Sequence, residues 1–201
     1  MNNLIHYLKG RGISKETAQD FNLMLCKKRV NYLGEKVNCN KYLKYTHRNS
    51  IVFPIQMVYG NVVAISSKNP VKSKYLHSGK KTYTLYGIYT TWKEILNKGY
   101  AIIVEGNFDI LQCYENGLRN VVSLLGSKMT KYQASLLRRF TNKCVLALDG
   151  DSAGKRTQRK LLKMLKELDF NCRVIDFPKG DDPDSFLEKY TKKEFLQLIK
   201  K

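Results

Sequence analysis

Tyr100-Ala101-Ile102-Ile103-Val104-Glu105-Gly106-Asn107-Phe108-Asp109 is the run that decides the fold. An uncharged, aliphatic stretch from Tyr100 to Val104 reads as a strand buried on both faces. A carboxylate and a glycine follow at once, and an apolar helical pattern runs over 108–116 until Gly117 closes it. The same order recurs downstream. Strands at 120–123, 144–148 and 172–177 alternate with helices at 131–140 and 153–168. Apolar strands alternating with helices predict an α/β unit, a mostly parallel sheet with helices on both faces.

Three acidic clusters each fall just past a predicted strand. Glu105-Gly106-Asn107-Phe108-Asp109 follows the first, Asp149-Gly150-Asp151 the third, and Asp181-Asp182-Pro183-Asp184 the fourth. Ligands of open parallel sheets bind outside the carboxyl ends of the strands, so the topology gathers these clusters at one edge. Glu105 and Asp109 are four apart, one helical turn, and can face the same point. Asp-Gly-Asp alone is commonly a turn, and Asp-Asp-Pro-Asp alone a capped helix entry. All three clusters in this frame favour a cation site, because crowded carboxylates repel one another unless a cation lies between them. Oxygen-only donors select Mg²⁺ or Mn²⁺ over zinc.

Working outward, the chain is 201 residues long with a net charge of +19, and its mean hydropathy is −0.41. Residues 1–100 hold 17 Lys/Arg and four acids; the remainder holds 19 bases and 13 acids. That imbalance implies a polyanionic partner, nucleic acid ahead of a membrane surface. From 36 to 93 acids are absent, while lysines and Arg48 interleave with tyrosines such as Tyr59, Tyr75 and Tyr83. Bases that hold phosphates and rings that stack on nucleobases suit a single-strand track. Short helices are expected at 3–9 and 14–21, the second capped by Ser14, then strands at 50–55 and 61–66. Residues 70–87 read as loop with short extended pieces. A boundary near 90–98, with Thr91 capping a short helix, divides a basic unit (1–95) from the α/β unit (96–201). The five scattered cysteines form no Cys-x-x-Cys pair, so neither zinc nor a disulfide framework is expected. With no apolar h-region at the start and no long apolar run, the expectation is a cytoplasmic protein without a membrane contact.

The strings Val104-Glu105-Gly106-Asn107-Phe108-Asp109, Ser123-Leu124-Leu125-Gly126-Ser127, Leu148-Asp149-Gly150-Asp151-Ser152-Ala153-Gly154 and Phe177 through Asp184 resemble the TOPRIM domain, in the form carried by DnaG-type primases. Upstream, Tyr7 through Ser14, Arg48 through Ile55, Lys74-Tyr75-Leu76-His77-Ser78 and Leu85-Tyr86-Gly87 resemble the basic subdomain of the primase core. The resemblance covers about 4–190. It implies metal-dependent synthesis of RNA primers from ribonucleoside triphosphates on single-stranded DNA. It also implies that Glu105, Asp109, Asp149, Asp151, Asp182 and Asp184 supply the field for two or more ions, with Glu105 open to a general-base role instead. Arg48, Lys68, Lys74 and Lys81 match groove positions for template or nucleotide phosphates, Lys74 foremost, while His77 reads as a polar neighbour. The chain departs from the family at Ser50, where a second basic residue is usual. It also begins where a zinc-binding module would end and stops where a helicase-binding domain would begin. Coupling to a replicative helicase is therefore expected through a separate subunit, and size and lysine richness suggest a phage or mobile element, hence a bacterial or phage-infected cytoplasm. Two other classes remain open on the sequence: a TOPRIM nuclease or topoisomerase fragment, and a non-catalytic single-strand-binding subunit.

Overall fold

A computed structural model of the chain describes residues 2–25, 30–31, 49–71 and 75–200. Helices α1 (Asn2–Gly10) and α2 (Lys15–Asp20) open the chain. Ser14 begins α2 as expected, its hydroxyl accepting from the Thr17 amide at 3.1 Å. Its own N–H and Oγ donate to Glu115, at 3.0 and 2.9 Å, which ties this helix start to the second half.

Among the described residues the first sheet has the order β2-β1-β3-β4-β5 and is antiparallel throughout. Its strands are β1 (Met24–Leu25), β2 (Val30–Asn31), β3 (Ile51–Gln56), β4 (Val62–Lys68) and β5 (Tyr75–Gly79). The β3–β4 hairpin matches the expected pair of strands. The sequence predicts mostly loop where β5 lies, and the reason is visible: none of its residues is fully buried, so it carries no apolar alternation.

Helix α3 (Ile88–Lys98) leads into the second sheet. Thr91 does not cap it. The helix starts three residues earlier, and Thr91 lies buried one turn inside, donating its hydroxyl to the Gly87 carbonyl at 3.1 Å. Gly87 makes that early start, with φ +87° and an ideal Cβ position only 2.3 Å from the Ile110 side chain.

The second sheet, order β10-β9-β8-β6-β7, is parallel except at β10. It runs through β6 (Ala101–Val104), α4 (Asn107–Glu115), β7 (Val121–Ser123), α5 (Lys131–Arg138), β8 (Lys143–Leu146), α6 (Ser152–Glu167) and β9 (Asn171–Ile175). Helices α7 (Pro183–Lys189) and α8 (Lys192–Gln197) and strand β10 (Ile199–Lys200) complete it, α7 beginning at the Asp-Asp-Pro-Asp helix entry. Alternation along each strand fills both faces. Ile102, Val104 and Val145 pack with α4, Phe186 and Phe195, whereas Ala101, Ile103 and Leu146 pack with Ile95, Leu137 and Leu165. The first of these cores also takes in Ala18, Phe21 and Phe53, so both sheets share buried side chains. Backbone bonds between Tyr86 and Ser123, at 3.0 and 2.9 Å, stitch the segment after the first sheet to the edge of the second.

Cys144 and Cys172 are register partners on β8 and β9, and their thiols meet at 2.8 Å. Sheet register, rather than local spacing, brings them together. Cys26 and Cys39 lie outside the described residues. No helix among the described residues is long and apolar enough to cross a membrane.

Candidate active site

The carboxyl ends of β6 and β8 open into a cleft of about 350 Å³. Glu105, Asp109, Asp149, Asp182 and Asp184 line one side of it. Tyr7 and Arg11 reach it from α1 and the turn after it, and Lys68 and Tyr75 from β4 and β5. α1, the turn after it and the first sheet thus meet the acidic strand ends with two cations and two phenols.

Hydrogen bonds and one ion pair hold most of these acids. Asp109 sits in the first turn of α4 and accepts from the Gly106 amide at 2.7 Å. Asp182 caps α7 by accepting from the Ser185 amide at 2.7 Å, with Pro183 in the first turn. Asp184 pairs with Arg11, whose guanidinium also lies 4.3 Å over the Phe108 ring. Its other oxygen is buried without a partner. Gly150 explains why the Asp149 turn stays beside the Asp182 turn: its amide donates to the Asp181 carbonyl at 2.8 Å.

Electrostatics shows what the grouping costs. Burial, and then the charges of Asp182 and Asp149, push Asp109 up to about 8. Burial with Asp182 and Asp151 lifts Asp149 to about 6, and burial with Asp149 and Asp151 raises Glu105. On the opposite side burial and then Arg11 lower Lys68, and burial followed by Asp109 raises Tyr75.

Among the described residues no three His, Cys, Asp or Glu side chains close on a common point as a preformed metal cage. A magnesium-type ion does not require one, since it keeps waters and takes one or two carboxylates plus substrate phosphates. An orphaned Asp184 oxygen and mutually repelling acids fit such an ion. They do not choose between Mg²⁺ and Mn²⁺.

The remaining sequence candidates are placed differently. Asp151 stands outside the cleft lining and caps α6 by accepting from the Gly154 amide at 2.6 Å, though Glu105 and Asp149 feel its charge. Lys81 also lies apart, donating to the Leu125 carbonyl at 2.6 Å. His77 stacks on Tyr75 with a 9° interplanar angle, and partial burial and then Lys81 lower it to about 4. Arg48 and Lys74 lie outside the described residues.

A Toprim-like family profile matches residues 102–187. The DNA primase of Aquifex aeolicus is 32% identical over 96% of this chain and 44% of its own length. A crystal structure of the zinc-binding and RNA polymerase domains of the Aquifex aeolicus primase superposes with TM-score 0.85 at 30% identity, covering 98% of this chain and 55% of that one. A DnaG primase catalytic domain bound to single-stranded DNA gives TM-score 0.81 at 25% identity, covering 97% of this chain and 70% of that one. The chain belongs to the DnaG-type TOPRIM cores. It spans less than half the length of the curated relatives it matches.

In this DnaG-type core several cleft residues escaped the sequence reading as functional candidates. For Arg11 the one available signal was a lone arginine between two glycines. Asn107 was likewise unassigned; it is 3% exposed, accepts from Ser66 Oγ at 3.2 Å, and leaves its Nδ2 unpartnered at the cleft.

A pH experiment follows from Asp109. Its folded value of about 8 exceeds the ordinary 3.8, so between those limits the folded chain holds a proton that the unfolded chain releases. Stability of the metal-free protein should therefore fall, by on the order of a few kcal/mol, as pH rises from about 4 to about 8. Asp109→Asn keeps an acceptor for the Gly106 amide and should flatten that decline. Urea unfolding in chelator at pH 5, 6.5 and 8 reads it, and an unchanged slope in the variant would contradict the burial argument.

Proposed function

We propose that this chain synthesises short RNA primers from ribonucleoside triphosphates on a single-stranded DNA template, with Mg²⁺ or Mn²⁺ bound at the cleft. The observation that carries the reading is the opposition of two surfaces across one cleft: five carboxylates at strand ends and helix starts, and Arg11, Lys68 and Tyr75 facing them. Bound ions would supply charge neutralisation of the triphosphate and alignment of the attacking 3′-oxygen. Asp149, Asp182, Asp184 and Asp109 are the side chains suited to hold them, with Asp151 contributing field from beside the cleft.

The chain's own residues do the rest. Arg11 and Lys68 offer fixed positive charge for phosphates, and Arg48, Lys74 and Lys81 are proposed to extend that surface. Glu105 stands at the end of β6 with its carboxyl above the usual range, which suits it to accept a proton from the 3′-hydroxyl or to join the ion field. Burial of Asp109 and the packing of Phe108 under Arg11 hold the acidic wall rigid, so little rearrangement is needed when charge develops.

The test is ribonucleotide incorporation on single-stranded DNA with either ion, with template cleavage scored in parallel. Template-dependent RNA is the expected product. Cleavage without incorporation would favour a TOPRIM nuclease, and binding without either reaction would favour a non-catalytic subunit.

A further inference from the structure

Away from the carboxylate cleft, α6 carries Lys155, Arg156, Arg159, Lys160, Lys163 and Lys166, and no acid before Glu167. Like charges one turn apart weaken a helix, so helix formation does not account for this composition. Part of the charge is already committed: Lys155 pairs with Asp176 at 3.2 Å, and Arg159 donates to the Lys155 carbonyl at 3.3 Å. Arg156 and Lys160 are different. Both are exposed, and among the described residues no carboxylate pairs with either.

These two bases and Lys128, from the loop before α5, rim a groove of about 340 Å³. Its apolar wall is Met129, Leu161 and Met164. One end lies at Ala153 and Ser127, two residues past Asp151 and just past the Leu125 carbonyl that Lys81 holds. The other end runs down α6, away from the acids.

We propose that this groove binds single-stranded DNA and carries the template strand away from the cleft; its identity as template rests on the primase reading. Arg156 and Lys160 are separated by about 6 Å along the helix axis, a spacing suited to successive phosphates of an extended strand. Between the charged rims the exposed Ala153 and the half-buried thioether of Met164, on a floor of the buried Met129 and Leu161, offer soft, apolar surface to the faces of unpaired bases. A duplex keeps those faces stacked away, which is why the chemistry selects a single strand. An anionic protein surface would use the rim but leave the accessible Ala153 and Met164 between the bases without a role.

The experiment compares two variants of equal charge, Lys128→Gln/Arg156→Gln/Lys160→Gln and the remote, exposed control Lys98→Gln/Lys143→Gln/Lys193→Gln. Fluorescence anisotropy with an oligothymidylate of about 20 nucleotides, long enough to span cleft and groove, is run without nucleotides or divalent ions across a salt series. Circular dichroism confirms that both variants are folded. The groove variant should bind about tenfold or more weaker than the control, with its salt slope reduced by about 2. Equal affinity and slope in the two variants would overturn the proposal, and so would a loss on duplex DNA as large as that on the single strand. Because no synthesis is measured, a wild-type chain that failed to make RNA would refute the function proposed above and leave this result standing.

Discussion

Asp149→Asn should lower the proposed primer synthesis by at least about 10² to 10³, while the fold and single-stranded DNA binding survive. The substitution keeps side-chain size and removes one charge from the middle of the acidic wall. Asp149 is pushed up to about 6 by burial and by Asp182 and Asp151, so its charge is held against opposition unless a cation is bound. Relief of that repulsion should leave the metal-free variant as stable as the parent or more so. Binding to a polyanion should be unchanged or slightly tighter. Activity, urea unfolding and anisotropy on one preparation check the split. A variant that stays active would make Asp149 a turn residue; one that unfolds would make the turn structural.

Gly150→Ala should be worse in a different way, losing both activity and stability. An ideal Cβ at Gly150 would lie 2.5 Å from the Pro178 carbonyl oxygen, 2.9 Å from that of Asp181 and 3.1 Å from that of Phe177. All three neighbours are backbone, so no side chain can swing aside. Room for the methyl group requires the Asp149 turn to separate from the 177–182 turn, which breaks the Gly150–Asp181 bond and pulls Asp149 from Asp182. Overpacking of this kind costs about 1–3 kcal/mol, and here it also displaces the acids. The unfolding midpoint and the synthesis rate, measured together, check it. An alanine variant with parental activity would show that the two turns need not stay in contact.

The second half of the chain was legible because its central strands, β6, β7 and β8, are buried on both faces. Continuous apolar runs such as 101–104 and 144–148 have few other readings, and the acids directly after them mark the strand ends. Two of the same acids have a structural duty that the structure shows directly. Asp151 and Asp182 are helix caps, so the ordinary reading of Asp-Gly-Asp and Asp-Pro-Asp describes the structure too. β5 was missed because an edge strand without a buried face has no alternation to read. Arg11 was missed for another reason: its partner, Asp184, is 173 positions away, and no local pattern encodes such a pairing. The charge imbalance pointed to the basic half without choosing among its lysines. Packing chose, by placing Lys68 in the cleft and directing Lys81 to the Leu125 carbonyl.

The central claim is that these carboxylates hold a divalent cation in the cleft. Mn²⁺ binding followed by electron paramagnetic resonance, on the parent and on Asp149→Asn, tests it most directly. The parent should bind Mn²⁺ near neutral pH and unfold at a higher temperature when it does, since a ligand that binds only the folded state stabilises it. The variant should bind at least about tenfold more weakly and gain correspondingly less. Equal binding and equal stabilisation in the two proteins, or no Mn²⁺ bound by the parent, would contradict the account.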